Sequence, residues 1–141
     1  MKIGIMSFAH HHAEAYIHNL SLIEDVELIG VADEDVERGK KVAEQYGTRL
    51  FASYGDLLSA GPDGVVVTSV NSQHRFLVEM AAAAGVNVLC EKPLATTQED
   101  ARAIVEACEQ AGVILMTAFP MRFSTPLLEI KARLDAGDFG D

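Results

Sequence analysis

The sequence predicts an α/β fold in a single domain, a doubly wound parallel sheet, on three observations. Candidate strands and helices alternate along the whole chain with connections of a few residues, the pattern that builds a parallel sheet with right-handed crossovers. The run Val65-Val66-Val67-Thr68 is unbroken and β-branched, as in a strand covered on both faces. An acidic residue, Asp33, closes the second candidate strand, where sheets of the Rossmann type, with strand order 3-2-1-4-5-6, place one.

Taken in order, residues 2–6 form the first strand and 7–12 a turn. Residues 13–23 read as a helix with Ala15, Leu20 and Ile23 toward the core. A second strand follows at 26–32. Residues 34–46 form an amphipathic helix with Val36, Val42, Ala43 and Tyr46 on its apolar side and Gly47 as its stop. Residues 49–52 read as a short third strand, 54–60 as a short helix, and Gly61-Pro62-Asp63-Gly64 as a turn. The fourth strand, 65–68, leads through a polar loop to a helix at 74–84 closed by Gly85. The fifth strand, 86–90, ends abruptly in Glu91, Lys92 and Pro93, and proline cannot continue a ladder. Thr96 and Glu99 read as a capping box for a helix at 98–111, with Gly112 as its C-cap. Residues 113–119 read as a sixth strand, and Pro126 begins a last helix. Val42, Leu58, Leu77, Met80, Ile104 and Leu128 sit at helical spacing and are expected in the core.

The 141 residues suit one domain with a sizeable core. The formal net charge of −10 argues against a nucleic-acid partner or an anionic membrane surface, where a basic patch is expected. Two cysteines, Cys90 and Cys108, make no disulfide framework and show no metal-ligand spacing. Met1-Lys2 leads directly into a strand, and no apolar run approaches the ~20 residues of a membrane span. A cytoplasmic setting is therefore expected.

Chemistry-bearing residues fall at the predicted carboxyl ends of the strands, where open α/β sheets bind ligands. After the first strand, a dinucleotide site calls for G-x-G-x-x-G, whose glycines allow a tight turn and close approach to pyrophosphate. Here Ser7, Ala9 and His12 hold those positions, with Phe8, His10 and His11 between them. Ser7 and Ala9 are small enough for the turn. A helix N-terminus offers free N–H donors and a positive dipole end with or without glycine, so phosphate binding at Ser7–His12 remains the expectation. A metal reading of His10, His11 and His12 is set aside, because adjacent residues do not converge easily on one ion and no carboxylate or cysteine stands at helical spacing.

Asp33 follows His12 by the ~20 residues expected of the acid that bonds the adenosine ribose. A carboxylate there predicts NAD over NADP. The alternative is that Asp33 caps the helix beginning at Glu34. Glu91 and Lys92 stand at the carboxyl edge after the fifth strand, and a solvated loop pair is the alternative for them.

Glu91-Lys92-Pro93 in this setting resembles the Glu-Lys-Pro motif of the glucose–fructose oxidoreductase / inositol dehydrogenase / rhizopine catabolism (Gfo/Idh/MocA) family. Thr68-Ser69-Val70-Asn71-Ser72-Gln73-His74 resembles that family's Thr-Pro-Asn-x-x-His stretch, with Val70 where proline is usual. Met121-Arg122-Phe123 resembles its Arg-Phe segment at the exit from the nucleotide domain. The resemblance implies an NAD(P)-dependent oxidoreductase acting on a sugar-like or cyclitol hydroxyl. It implies that Lys92 is catalytic, beside the nicotinamide, and that Thr68, Ser69, Asn71, His74, Glu91 and Arg122 contact cofactor. Capping by Asn71 or Ser72, a helix-start role for His74 and a surface ion pair for Arg122 are the plainer alternatives.

The resemblance further implies a dinucleotide-binding domain over residues 1–123, with 124–141 as a last helix leading into a second domain. In the family that second domain carries the general base, typically a histidine, that receives the hydroxyl proton. Apolar surface left open at that junction would favour self-association into a homo-oligomer. The competing reading is a non-catalytic Rossmann-type binding or interaction module with a degenerate glycine loop.

Overall fold

The structure is a computed structural model and describes residues 1–140, so Asp141 lies outside the described residues. Five parallel strands form one sheet: β1 (Lys2–Met6), β2 (Glu27–Ala32), β3 (Gly64–Val67), β4 (Asn87–Cys90) and β5 (Leu115–Thr117), in the order β2-β1-β3-β4-β5. The expected third strand at 49–52 is reduced to one parallel bridge, Val31 to Leu50. It does hold the expected place beside β2. Arg49 instead turns its guanidinium over the Phe51 ring, 4.2 Å from the centroid. The sheet reverses its order between β1 and β3, as a doubly wound sheet must.

The helices are α1 (Ala13–Leu20), α2 (Val36–Tyr46), α3 (Tyr54–Ser59), α4 (His74–Ala83), α5 (Gln98–Ala111) and α6 (Thr125–Asp135). The period-two alternation of β3 divides the core. Val66 joins Ile3, Ile5, Ala13, Ile17 and Val42 on one face. Val65 and Val67 join Leu57, Leu77, Val78, Ile104 and Cys108 on the other. Helix α2 ends at Gly47 (φ +61°) and α5 at Gly112 (φ +68°), both left-handed as expected of C-capping glycines.

Several core expectations fail for local reasons. Helix α1 buries Ala13 and Ile17, one turn apart, so Ala15 faces out, and Ile23 lies beyond the helix end and is exposed. Val36 is the first residue of α2 and points to solvent. Leu128 is exposed because α6 buries none of its residues. The N-cap of α5 is Thr97, one residue later than expected, and the reciprocal half of the capping box is not made. Thr97 Oγ1 accepts from Asp100 N at 3.0 Å and donates to Asp100 Oδ2 at 2.8 Å. No helix among the described residues is long and apolar enough to cross a membrane.

Candidate functional site

The strand register brings the predicted site together. Met6 pairs with Ala32 and Val67, and Val67 pairs with Cys90, so four strands end level with one another. The residues that come next, Ser7, Asp33, Thr68 and Glu91, therefore form one row along the carboxyl edge. Every polar residue buried among the described residues lies there: these four, with Ser69 and His74. Burial of polar groups is costly unless each finds a partner. Their concentration at one edge marks it as the chemically specialised part of the fold.

The turn after β1 is built without glycine. Ser7 adopts φ +74°, the left-handed conformation that glycine would enter freely. Thr68 Oγ1 donates to Ser7 O at 2.6 Å, and His10 N donates to Thr68 O at 2.9 Å. Ser7 Oγ accepts from Ala9 N and donates to Glu34 Oε1, each at 3.2 Å. Phe8 N donates to Asp33 Oδ2 at 2.8 Å, while the Phe8 ring joins the core. Helix α1 then begins at N-cap His12, which makes no side-chain capping bond. His10 takes two of the N–H groups there, Ala13 N on its carbonyl at 3.0 Å and His12 N on Nδ1 at 3.2 Å, so those of Glu14 and Ala15 are left for another acceptor.

Asp33 does not cap α2. Asp35 does, accepting from the N–H groups of Glu37 and Arg38. The Asp33 carboxylate instead accepts from Asp35 N at 2.8 Å and from both arms of Arg38, and its side chain has no exposed surface. Arg38 also reaches Glu34 Oε1 at 2.9 Å. Tyr54 donates to the other Glu34 oxygen. Burial raises the Glu34 carboxyl, but the hydroxyls of Tyr54 and Ser7 and the Arg38 charge outweigh it and hold the carboxyl below the ordinary range.

Glu91 is the second hub. His12 Nδ1 donates to Glu91 Oε1 at 2.9 Å, Tyr16 OH donates to the same oxygen at 2.9 Å, and Lys92 N donates to Oε2 at 2.8 Å. Burial alone would raise its carboxyl. The bonds from His12, Tyr16 and Lys92 N outweigh burial and hold it low. Burial and the Glu91 charge push the Tyr16 hydroxyl up. They push the Cys90 thiol up to about 12. The three histidines cluster, with ring nitrogens within 4.8 Å of one another. Two of them are engaged by the protein: His12 Nδ1 by Glu91, and His10 Nδ1 by the N–H of His12 at 3.2 Å. Burial holds His10 below its ordinary range.

The expected contact residues divide by exposure. The side chains of Ser7, Thr68, His74 and Glu91 have no surface, so they shape the edge from beneath instead of offering a face to a ligand. His74 starts α4 and places Nδ1 3.0 Å from Pro93 O, buttressing the turn that carries Lys92. Its Nε2 is buried without a partner among the described residues. Lys92 is half-buried, as are His10, His12 and Ala9, whereas His11, Asn71 and Arg122 are exposed. Ser69 is buried with its hydroxyl bonded to Val70 O. Arg122 does not reach Glu91. Its guanidinium lies 5.4 Å from the Phe119 ring centroid. Sequence reasoning missed Tyr16, Arg38 and Tyr54. The available signal for Tyr16 was its place one helical turn after His12.

A family model described as the oxidoreductase family with an NAD-binding Rossmann fold (GFO_IDH_MocA) matches residues 2–119. The chain is 36% identical to a D-apiose dehydrogenase of Rhizobium rhizogenes, over 89% of this chain and 38% of that protein. It is 36% identical to a D-xylose 1-dehydrogenase (NADP(+)) of Haloferax volcanii, over 99% of this chain and 43% of that one. A crystal structure of an Agrobacterium radiobacter oxidoreductase in complex with NAD+, L-tartaric acid and magnesium superposes with a TM-score of 0.91 at 32% identity, over 100% of this chain and 42% of that one. The chain thus spans about two-fifths of the length of these relatives.

Proposed function

The chain belongs to the Gfo/Idh/MocA oxidoreductase family, and from that premise we propose that residues 1–123 bind NAD for hydride transfer to or from a sugar-like or cyclitol hydroxyl. The observation that carries this reading is the single row of Ser7, Asp33, Thr68 and Glu91 on the sheet's carboxyl edge, with Lys92 next in the chain. Its fit to a dinucleotide rests on the left-handed Ser7 turn and on an α1 N-terminus with no side-chain cap. Names of relatives support the substrate class: D-apiose, D-xylose and inositol dehydrogenases.

In this reading the Ser7–His12 turn and the first turn of α1 hold the pyrophosphate, with His10, His11 and His12 around it. Asp33 receives the adenosine ribose. Its charge, with Glu34 and Asp35 beside it, disfavours a 2′-phosphate, so NAD is preferred to NADP. Ser69 and Asn71 line the nicotinamide end with Arg122 at its exit, while Thr68, His74 and Glu91 set their positions. Bound NAD supplies the hydride acceptor or donor. Lys92 hydrogen-bonds the reacting hydroxyl and orients it. The base that takes the hydroxyl proton comes from outside these residues, and 124–141 lead toward it. A cytoplasmic protein, with no nucleic-acid or membrane partner and with self-association into a homo-oligomer, completes the reading.

The test is calorimetric titration of the 141-residue chain with NAD and NADP, with Asp33→Ala alongside. Saturable NAD binding that the substitution weakens is the expected result. A folded chain that ignores millimolar NAD favours the second reading, a non-catalytic interaction module. The observation on that side is that the Asp33 side chain has no exposed surface and is paired with Arg38.

A further inference from the structure

We propose that Glu91 is a positioning residue that latches the pyrophosphate turn to Lys92, and that His12 stands in place of the third glycine in order to make that latch. The inference rests on the dinucleotide reading above.

Three observations carry it. Glu91 has no exposed surface, yet it is a carboxylate with three donors. Such a group is tolerated only where its charge is fully answered. The donors come from two places that the proposed reaction needs in register. His12 and Tyr16 belong to the start of α1, directly after the turn. The third donor is the backbone N–H of Lys92 itself. Lastly, the two oxygens are divided between those places: Oε1 takes both α1 donors at 2.9 Å and Oε2 takes Lys92 N at 2.8 Å. A carboxylate is a rigid plane, so a shift of the turn on one oxygen is carried to the Lys92 backbone on the other.

The latch accounts for the missing third glycine. Glycine at position 12 would leave the turn permissive but would remove one of the two α1 donors and leave a buried acceptor under-satisfied. The imidazole of His12 supplies a hydrogen bond that glycine has no side chain to make. His74 fixes the same segment through Pro93 O, so the residues before and after Lys92 in the chain are each bonded to a histidine, one at the start of α1 and one at the start of α4.

His12→Gly separates this account from the simple one, because it restores the glycine and deletes the latch. NAD affinity is read by calorimetry, and the Lys92 backbone amide by two-dimensional NMR at saturating NAD. The latch predicts that His12→Gly weakens NAD about tenfold and removes the response of the Lys92 amide to NAD. His12→Asn, whose amide nitrogen can take the place of Nδ1, recovers both. Tyr16→Phe, which deletes only the second bond to Oε1, weakens NAD about threefold and keeps the test open if His12→Gly does not fold. His12→Gly binding NAD as tightly as the wild type, or a Lys92 amide that responds equally in both, overturns the latch and leaves the dinucleotide reading intact. A folded wild type that binds no NAD overturns that reading, and the latch with it.

Discussion

Arg38 closes over Asp33: Nε donates to Oδ2 at 2.8 Å and Nη2 donates to Oδ1 at 2.6 Å, in the fork geometry that suits guanidinium and carboxylate. Phe8 N occupies Oδ2 as well, and Asp35 N occupies Oδ1. The carboxylate has no lone pair to spare, and the residue proposed to receive a ribose is already paired with a cation.

Ribose hydroxyls must therefore compete with Arg38. Arg38→Ala is expected to tighten NAD about threefold. Asp33→Asn is expected to weaken it about tenfold, the equivalent of about 1.4 kcal/mol. Calorimetry on the two variants checks both directions, and an Arg38→Ala variant that binds NAD more weakly than wild type contradicts the competition.

Ser7 is buried in a left-handed conformation that costs an L-residue about 1–2 kcal/mol. Its two hydroxyl bonds, both 3.2 Å, return only part of that. Ser7→Gly is expected to raise stability by about 0.5 kcal/mol. Ser7→Val, β-branched at a positive φ, is expected to lower it by about 2 kcal/mol or more. Denaturant unfolding of the two variants measures the difference.

Acid should unfold the chain in two stages. Burial holds His10 below its ordinary value of 6.5, so the unfolded chain takes up that proton first and stability falls as pH drops below 6.5. Hydrogen bonds hold Glu91 and Glu34 below 4.5, so the stability they contribute is present above that pH and is lost as pH falls through their folded values. Melting temperatures measured from about pH 8 downward read both stages. Glu91→Gln is expected to flatten the second one, and an unchanged profile in that variant counts against the assignment.

Apolar surface stands without cover at the last strand and beyond it. The edge strand β5 exposes Met116, which lines one groove with Phe119 and Phe123, Met121 and Leu128 line another, and α6 also exposes Ile130 and Leu134. An unpaired edge beside such surface favours association. Concentration-dependent self-association is expected in sedimentation. Met116→Lys with Leu128→Lys is expected to shift the chain toward monomer, and no shift would detach the association from this surface.

The sheet was legible because its signals are local. Alternation, β-branched runs and the stops at Gly47, Gly85 and Gly112 each act within a few residues. The lost third strand shows where that ends. Residues 49–52 have strand-like side chains but make only one bridge, at Leu50, since whether a segment pairs is decided by its neighbour and not by its own propensity. The expected cap at Thr96 missed by one residue for a related reason: Thr97 is as good an N-cap residue as Thr96, and only backbone geometry chooses.

The sequence by itself determined the α/β class, the strands that end at Met6, Ala32 and Cys90, the strand ending at Val67 to within one residue, and the polar residues at those ends. It determined the Glu91-Lys92-Pro93 segment and its family. Tertiary structure alone decided which of those residues face solvent and which carry others. His12 and Glu91 lie 79 residues apart, and Ser7 and Thr68 lie 61 apart. No local pattern encodes such a pair, because a buried carboxylate or hydroxyl takes whatever partner the register of the sheet brings within about 3 Å.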